Sequence, residues 1–351
     1  MKKVLFATTA LVMTAGVASA EIALSGDARM GLVYDGNDAQ FSSRARVRFT
    51  ATGETDSGLS YGATFRVDHE RGDQRAANGT RGAVYISGTY GKLSMGDVAS
   101  ASEMAVGDLY GVGYTGGDFY ANLNEPAYLT ADGNNLDQGP NILYEYSISG
   151  VNLFASASDG SDNAWAGVYG TDPVDCGVDG VCGNADDDTD TDVAWSVGAS
   201  YEGTFSNGTY NVGLGYGKHG DAKEIVVGGE VTSGAFMAKA FYADYSDRPS
   251  IDFGVGDNDT VTFDNTLYDY DRAFGLSLGY EYNNMLFKGF WRRDEGEASA
   301  IAPAGTGDVE FDSWGIGVDY DLGGGATVAA GIADSDWIAD TVADVGIKFT
   351  F

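Results

Sequence analysis

Thr341-Val342-Ala343-Asp344-Val345-Gly346-Ile347-Lys348-Phe349-Thr350-Phe351 closes the chain and alternates without a break. Val342, Asp344, Gly346, Lys348 and Thr350 fall on one side, and Ala343, Val345, Ile347, Phe349 and Phe351 on the other. Successive side chains of a strand point to opposite faces, so the segment carries one polar and one wholly apolar surface. A helix would mix them. In a soluble sandwich the apolar face would meet a second sheet. In a bacterial outer membrane it meets lipid, while the polar face lines a wet lumen.

The amino terminus chooses between these settings. Lys2 and Lys3 precede an apolar run from Val4 to Val17, and Ala18-Ser19-Ala20 follows before Glu21. A basic start, a short apolar stretch and a small-residue cleavage site make the pattern of an exported precursor. An anchoring helix is the alternative, but the run falls short of the roughly 20 residues that span a bilayer. Residues 1–20 are therefore read as a signal peptide and 21–351 as the mature chain.

Composition narrows the class further. With Lys2 and Lys3 removed the chain carries a net charge of −34, which repels nucleic acid and anions and favours divalent cations. No later run of 18 apolar residues exists, which excludes a helical membrane protein. A β-barrel stays open, because half of each strand faces water. Fifty-two glycines, 21 tyrosines and five prolines suit many strands, tight turns and aromatic girdles. Histidine supplies only His69 and His219, too few for a histidine-based metal or nucleophile site.

Alternation recurs from Glu21 to Phe351 without a linker, predicting one all-β domain. Arg44 to Thr52 shows it sharply, with Ala45, Val47, Phe49 and Ala51 on one face and Arg44, Arg46, Arg48, Thr50 and Thr52 on the other. About sixteen such segments can be read. Tight connections at Ser149-Gly150, Asn283-Asn284 and Gly323-Gly324-Gly325 contrast with long acidic ones at Gly72 to Thr80, Asp159 to Asp192 and Ser246 to Asp271. Short turns on one rim and long loops on the other mark a transmembrane barrel. Tyr34, Tyr90, Tyr144, Tyr146, Tyr201, Tyr280, Tyr282 and Trp314 lie near strand ends, where interfacial girdles belong.

The start Glu21-Ile22-Ala23-Leu24-Ser25-Gly26, the Arg-rich second strand, Gly91-Lys92-Leu93-Ser94-Met95-Gly96-Asp97 before a long third loop, and the terminal Phe351 together resemble a general diffusion porin of the Gram-negative outer membrane, of the alphaproteobacterial, Rhodobacter-like kind. That resemblance implies a sixteen-stranded antiparallel transmembrane β-barrel, a homotrimer in outer-membrane lipid, and passive diffusion of ions and small hydrophilic solutes. It also implies that the first and last strands pair, bringing Glu21 near Phe351, and that the third loop, about residues 98–138, folds into the lumen.

Arg44, Arg46 and Arg48 point the same way about 6.6 Å apart, at roughly 3.3 Å of rise per residue. A like-charge pair at that spacing costs about 0.6 kcal/mol in water and about 2.5 kcal/mol at an effective dielectric of 20, so the ladder wants carboxylates opposite. The third loop offers Glu103, Asp108, Asp118, Glu125, Asp132 and Asp137. With Arg66 on the next strand, the arginines facing Glu103, Asp108 and Asp118 would form a pore constriction with a transverse field, mildly cation-selective overall. The alternative is a solvated strand face with its partners elsewhere. Ser100 and Glu103 fit a capping box, so a short helix is expected there.

Cys176 and Cys182 share one insertion of an exported chain and are most simply a disulfide, with two idle thiols as the alternative. Aspartates crowd the same insertion, and Asp175, Asp179, Asp186 and Asp188 are candidate Ca²⁺ ligands. Their spacing does not match an EF-hand loop, so a solvated acidic loop is the plainer reading. No other cofactor is implied. Three further functions share the fold: a substrate-selective porin, which needs a dedicated site; a barrel enzyme, for which neither histidine lies near a convincing serine motif; and a surface adhesin.

Overall fold

Sixteen antiparallel strands close on themselves in the computed structural model. It describes residues 21–70, 81–117, 122–129, 141–158, 193–219, 222–246, 268–298, 307–336, 338 and 340–351. The expected leader, Asp118, Asp132, Asp137, Cys176, Cys182 and the four candidate Ca²⁺ ligands lie outside the described residues.

The strands are β1 Glu21–Tyr34, β2 Ala39–Glu54, β3 Ser60–Glu70, β4 Arg81–Gly88, β5 Gly91–Gly96, β6 Asn141–Ile148, β7 Val151–Ser158 and β8 Trp195–Phe205. They continue as β9 Gly208–His219, β10 Ala222–Ser233, β11 Phe236–Ser246, β12 Tyr268–Tyr282, β13 Met285–Ala298, β14 Asp308–Gly323, β15 Ala326–Ser335 and β16 Val342–Thr350. Among the described residues one helix, α1 Ala101–Val106, interrupts the series inside the third loop.

Every strand pairs with its sequence neighbours, and β1 pairs with β16. Lipid offers no partner for a backbone N–H or C=O, so a closed ring is the sheet topology that can sit there. Tight turns at Ser149-Gly150 and Asn283-Asn284 fall on one rim, where Ser149 and Asn283 adopt positive φ values of 51° and 54°.

The alternation read from the sequence is the alternation of the wall. Val345 is 47 % exposed on the outside, whereas its neighbour Asp344 is 5 % exposed on the inside. Leu24, Leu214, Ile225, Leu278 and Ile316 are likewise open on the outer surface. Phe49 and Phe65 stack there with ring centroids 4.7 Å apart across β2 and β3. Of the expected girdle residues Tyr34, Tyr90, Tyr144, Tyr201, Tyr280, Tyr282 and Trp314 are exposed, and Tyr146 is half-buried.

The seam differs in one respect from expectation. The Gly26 N–H donates to the Phe351 carbonyl at 2.7 Å and the Phe351 N–H donates to the Gly26 carbonyl at 2.9 Å. Glu21 pairs only with Thr52 of β2, so Glu21 to Ser25 run on past the end of β16. The closing contact is Gly26 with Phe351 rather than Glu21 with Phe351. A side chain at residue 26 would collide with the Phe351 ring, since a Cβ there would lie 2.4 Å from Phe351 Cε2.

Candidate functional site: a loop pinned across the lumen

The segment after β5 turns into the barrel and runs along the inner wall instead of closing a hairpin. α1 starts at Ser100, whose Oγ accepts the Glu103 N–H at 3.2 Å, as the capping pattern predicts. It ends at Gly107, with φ 66°, whose N–H donates to the Glu103 carbonyl at 2.7 Å. The Ala101 N–H donates at 2.9 Å to both Ser156 Oγ and Ser196 Oγ, tying the first turn to β7 and β8. The helix itself packs on β7 to β10.

Close approach here depends on missing side chains. A Cβ on Gly213 would lie 1.9 Å from the Ala105 carbonyl oxygen, one on Gly198 2.3 Å from that of Ala101, and one on Gly215 2.7 Å from Ser102 Cα. Farther along, Val112 lies over Gly317 and the Tyr114 ring over Gly346. Val106, Leu109, Val112, Tyr114 and Leu123 of the loop bury with Val226, Phe241, Ala273 and Phe290 of the wall. The inner face of β8 to β16 is thus a dry seat for the loop over much of its area, not a uniformly wet lining.

Polar contacts fix the loop's course. Tyr114 N–H, Thr115 N–H and Thr115 Oγ1 donate to the Asp344 carboxylate at 3.1, 2.9 and 2.6 Å, and Arg29 Nη1 donates to the Thr115 carbonyl at 2.7 Å. Its tip is therefore held at β16 and β1. Midway, the Tyr110 hydroxyl donates to Glu230 at 2.8 Å and the Tyr110 N–H to Ser277 Oγ at 3.2 Å. Burial and the Glu230 carboxylate push the Tyr110 phenol up. On the return leg Arg292 donates to the Glu125 carbonyl, and the Leu129 N–H donates to Glu224 at 2.5 Å. Leu109 and Asn124 lace the two legs together through paired 3.0 Å bonds.

The arginine ladder stands on β2 and β3, away from this seat. Arg44 pairs with Asp27 at 3.6 Å and Arg46 with Asp68 at 3.2 Å. Arg66 takes Asp68 through two nitrogens at 2.6 and 2.7 Å. Arg48, opposite Arg66 in register, is exposed, and among the described residues no carboxylate lies within ion-pair distance of it. The carboxylates described beside the ladder are those of neighbouring strands, Asp27 and Asp68. In β-sheets adjacent strands sit closer than any loop lying across a lumen, which is why strand carboxylates answer the ladder first.

The loop carboxylates take other places. Asp108 is turned toward Lys239 of β11 and Arg292 of β13, and burial raises its carboxyl to about 6 against the pull of those two cations. Glu103 sits half-buried in the first turn of α1, on the β7 to β10 side. Asp108 thus meets Lys239 and Arg292 on the wall opposite the ladder, and Glu103 stands with α1 on the same side of the lumen. Sequence reading missed Arg29, Asp344, Arg292 and the glycine seat. Glycines recurring at inward positions of successive strands were the legible sign of the seat.

A closed sixteen-strand barrel with its third connection lying inside is matched by a family model for the Gram-negative porin over residues 7–336. This chain belongs to the Gram-negative porin family. The porin of Rhodobacter capsulatus is 37 % identical over 341 residues, covering 94 % of this chain and 100 % of that one. The porin of Fuscovulum blasticum is 28 % identical over 346 residues with the same coverage. A porin structure refined at 1.8 Å superposes with a TM-score of 0.67 at 34 % identity, over 94 % of this chain and all of that one. Variants of Rh. blastica porin share the fold, one of them at a TM-score of 0.60 and 20 % identity. As a porin, this chain is a β-barrel diffusion channel of the outer membrane, and its relatives are channels rather than enzymes.

Proposed function

We propose that this porin is a general channel for ions and small hydrophilic solutes, mildly cation-selective, whose narrowest zone lies between the β2–β3 arginines and the inward loop. The observation that carries the reading is that the loop is pinned along β7 to β16 while the ladder stands on β2 and β3, so the open path runs between them. Acidic mouths concentrate cations, and the ladder tempers that preference at the narrow point. Arg44, Arg46 and Arg66 share the two carboxylates of Asp27 and Asp68, whereas Arg48 is exposed with no carboxylate at ion-pair distance among the described residues, so Arg48 offers the pore its most open positive charge.

Reconstitution into planar bilayers tests this directly. Large, ohmic, stepwise currents are expected, and Arg48→Ala should raise conductance and shift the reversal potential toward cations. Arg46→Ala should shift it less, because Asp68 already balances part of the Arg46 charge. At about 1 M salt, where the Debye length is about 3 Å, the selectivity change should shrink while the change in width stays. Equal low-salt values for the parent and both variants would remove the ladder from the constriction.

The proposal extends to the precursor and the assembly. Residues 1–20 are a cleaved leader, three copies associate, and Cys176 and Cys182 form a disulfide in an acidic loop able to take Ca²⁺. Mass measurement of the protein from outer membranes, with and without reductant and chelator, tests each of these.

A further inference from the structure

We infer that Lys288 and Lys348 form a subsite for small dianions such as phosphate, on the short-turn side of the inward loop. The inference rests on the channel reading and adds a second station to the pore.

Both lysines point into the lumen, from β13 and β16, and both donate to the same atom, Asp319 Oδ2, at 3.2 and 3.0 Å. Among the described residues Asp319 Oδ1 accepts no hydrogen bond. Each carboxylate oxygen can accept two donors, so the pair could share one oxygen or take one each. Here they converge on one, which brings the two ammonium groups side by side; the three groups carry net charge +1, with Asp344 the next carboxylate facing Lys288. Each ammonium has three donors and spends one on Asp319, so donors remain for a second acceptor. The Lys348 side chain keeps 35 % of its surface open and that of Lys288 12 %, so the spare donors can be reached from the pore.

Position gives the cluster its role. Val112 and Tyr114, near the loop tip, cover Gly317 and Gly346. Asp319 and Lys348 lie two residues farther along β14 and β16, about 6.6 Å toward the short-turn rim at roughly 3.3 Å per residue. Lys348 is the register partner of Arg29, and Arg29 that of Arg44, so basic positions run across the seam from β13 to the ladder. Arg29 is occupied by the loop carbonyl of Thr115, which leaves the lysine pair as the next open cationic point beneath the constriction. An anion that has passed the ladder meets it. Two adjacent ammonium groups favour a dianion over chloride, since each contributes its own attraction.

The test is single-channel recording of the reconstituted protein at about 0.1 M salt and about pH 8, where phosphate is chiefly the dianion. Inorganic phosphate should reduce the chloride-salt current along a saturating curve. Lys348→Gln and Lys288→Gln should each raise the half-saturating concentration about tenfold, equivalent to about 1.4 kcal/mol. Asp319→Asn should lower it, because the lysines lose their internal counter-charge. A linear phosphate response in the parent, lysine variants that titrate like the parent, or an Asp319→Asn protein that binds more weakly would each overturn the subsite. If Lys288→Gln fails to insert, the opposed shifts of the other two variants still decide. Absence of stepwise currents at every phosphate level would instead overturn the channel reading.

Discussion

Asp344 shows how one carboxylate can place a whole loop. It is 5 % exposed, sits on the inner face of the last strand, and accepts two N–H groups and a hydroxyl from Tyr114 and Thr115. Hydrogen bonds to a charged group are worth about 1.5 to 3 kcal/mol each, so Asp344→Ala should cost several times thermal energy at the loop tip while sparing the ladder of backbone bonds that closes the wall. We expect noisier open-channel currents and faster protease cleavage within the loop, with trimer or monomer mobility on native gels unchanged. Asp108 makes a second prediction at this scale. Burial holds its carboxyl at about 6, above the usual 3.8, so the folded barrel grips this proton more tightly than the unfolded chain does. That stabilisation is fully present below pH 3.8 and is lost as pH rises through about 6. Denaturation midpoints should therefore fall between pH 5 and pH 7 in the parent by an increment that Asp108→Asn abolishes. Identical pH profiles for the two proteins would contradict the placement of Asp108.

At the scale of elements, the inward loop is held less by its own secondary structure than by the shape of the strands beneath it. Six helical residues are too few to be stable alone, and α1 persists because Ser156, Ser196 and the glycines of β8 and β9 accept it. Gly213→Ala would put a Cβ 1.9 Å from the Ala105 carbonyl oxygen, so the helix must lift toward the pore. Overpacking of this kind costs about 1 to 3 kcal/mol, and the expected result is a folded barrel with lower single-channel conductance. Unaltered conductance would mean that the helix does not border the open path. The strands themselves were legible from alternation alone, because one buried and one lipid-facing side fix which residues go where. Loop seating was not. A glycine in a strand reads as weakness or a bulge until the partner that lies on it is known.

For the molecule as a whole, closure and lipid exposure are one constraint. Val345 stands on the outer face of β16, beside the seam with β1. Val345→Arg should cost about 2 to 4 kcal/mol if the site lies near the bilayer midplane. Heat resistance in detergent is the readout, and a variant as resistant as the parent would place residue 345 away from lipid.

The sequence by itself determined the strand count, the inward and outward faces and the capped helix start, because each follows from spacing of two or from a local cap. It also marked Arg44, Arg46, Arg48 and Arg66 as one lumenal set. Tertiary structure decided who answers that set. Asp27 and Asp68 are brought beside it by register, and Asp108 is carried to the opposite wall by the path of the loop. Tertiary structure also moved the seam from Glu21 to Gly26, since the stagger of a closing barrel is a property of all sixteen strands together and is written in no single one.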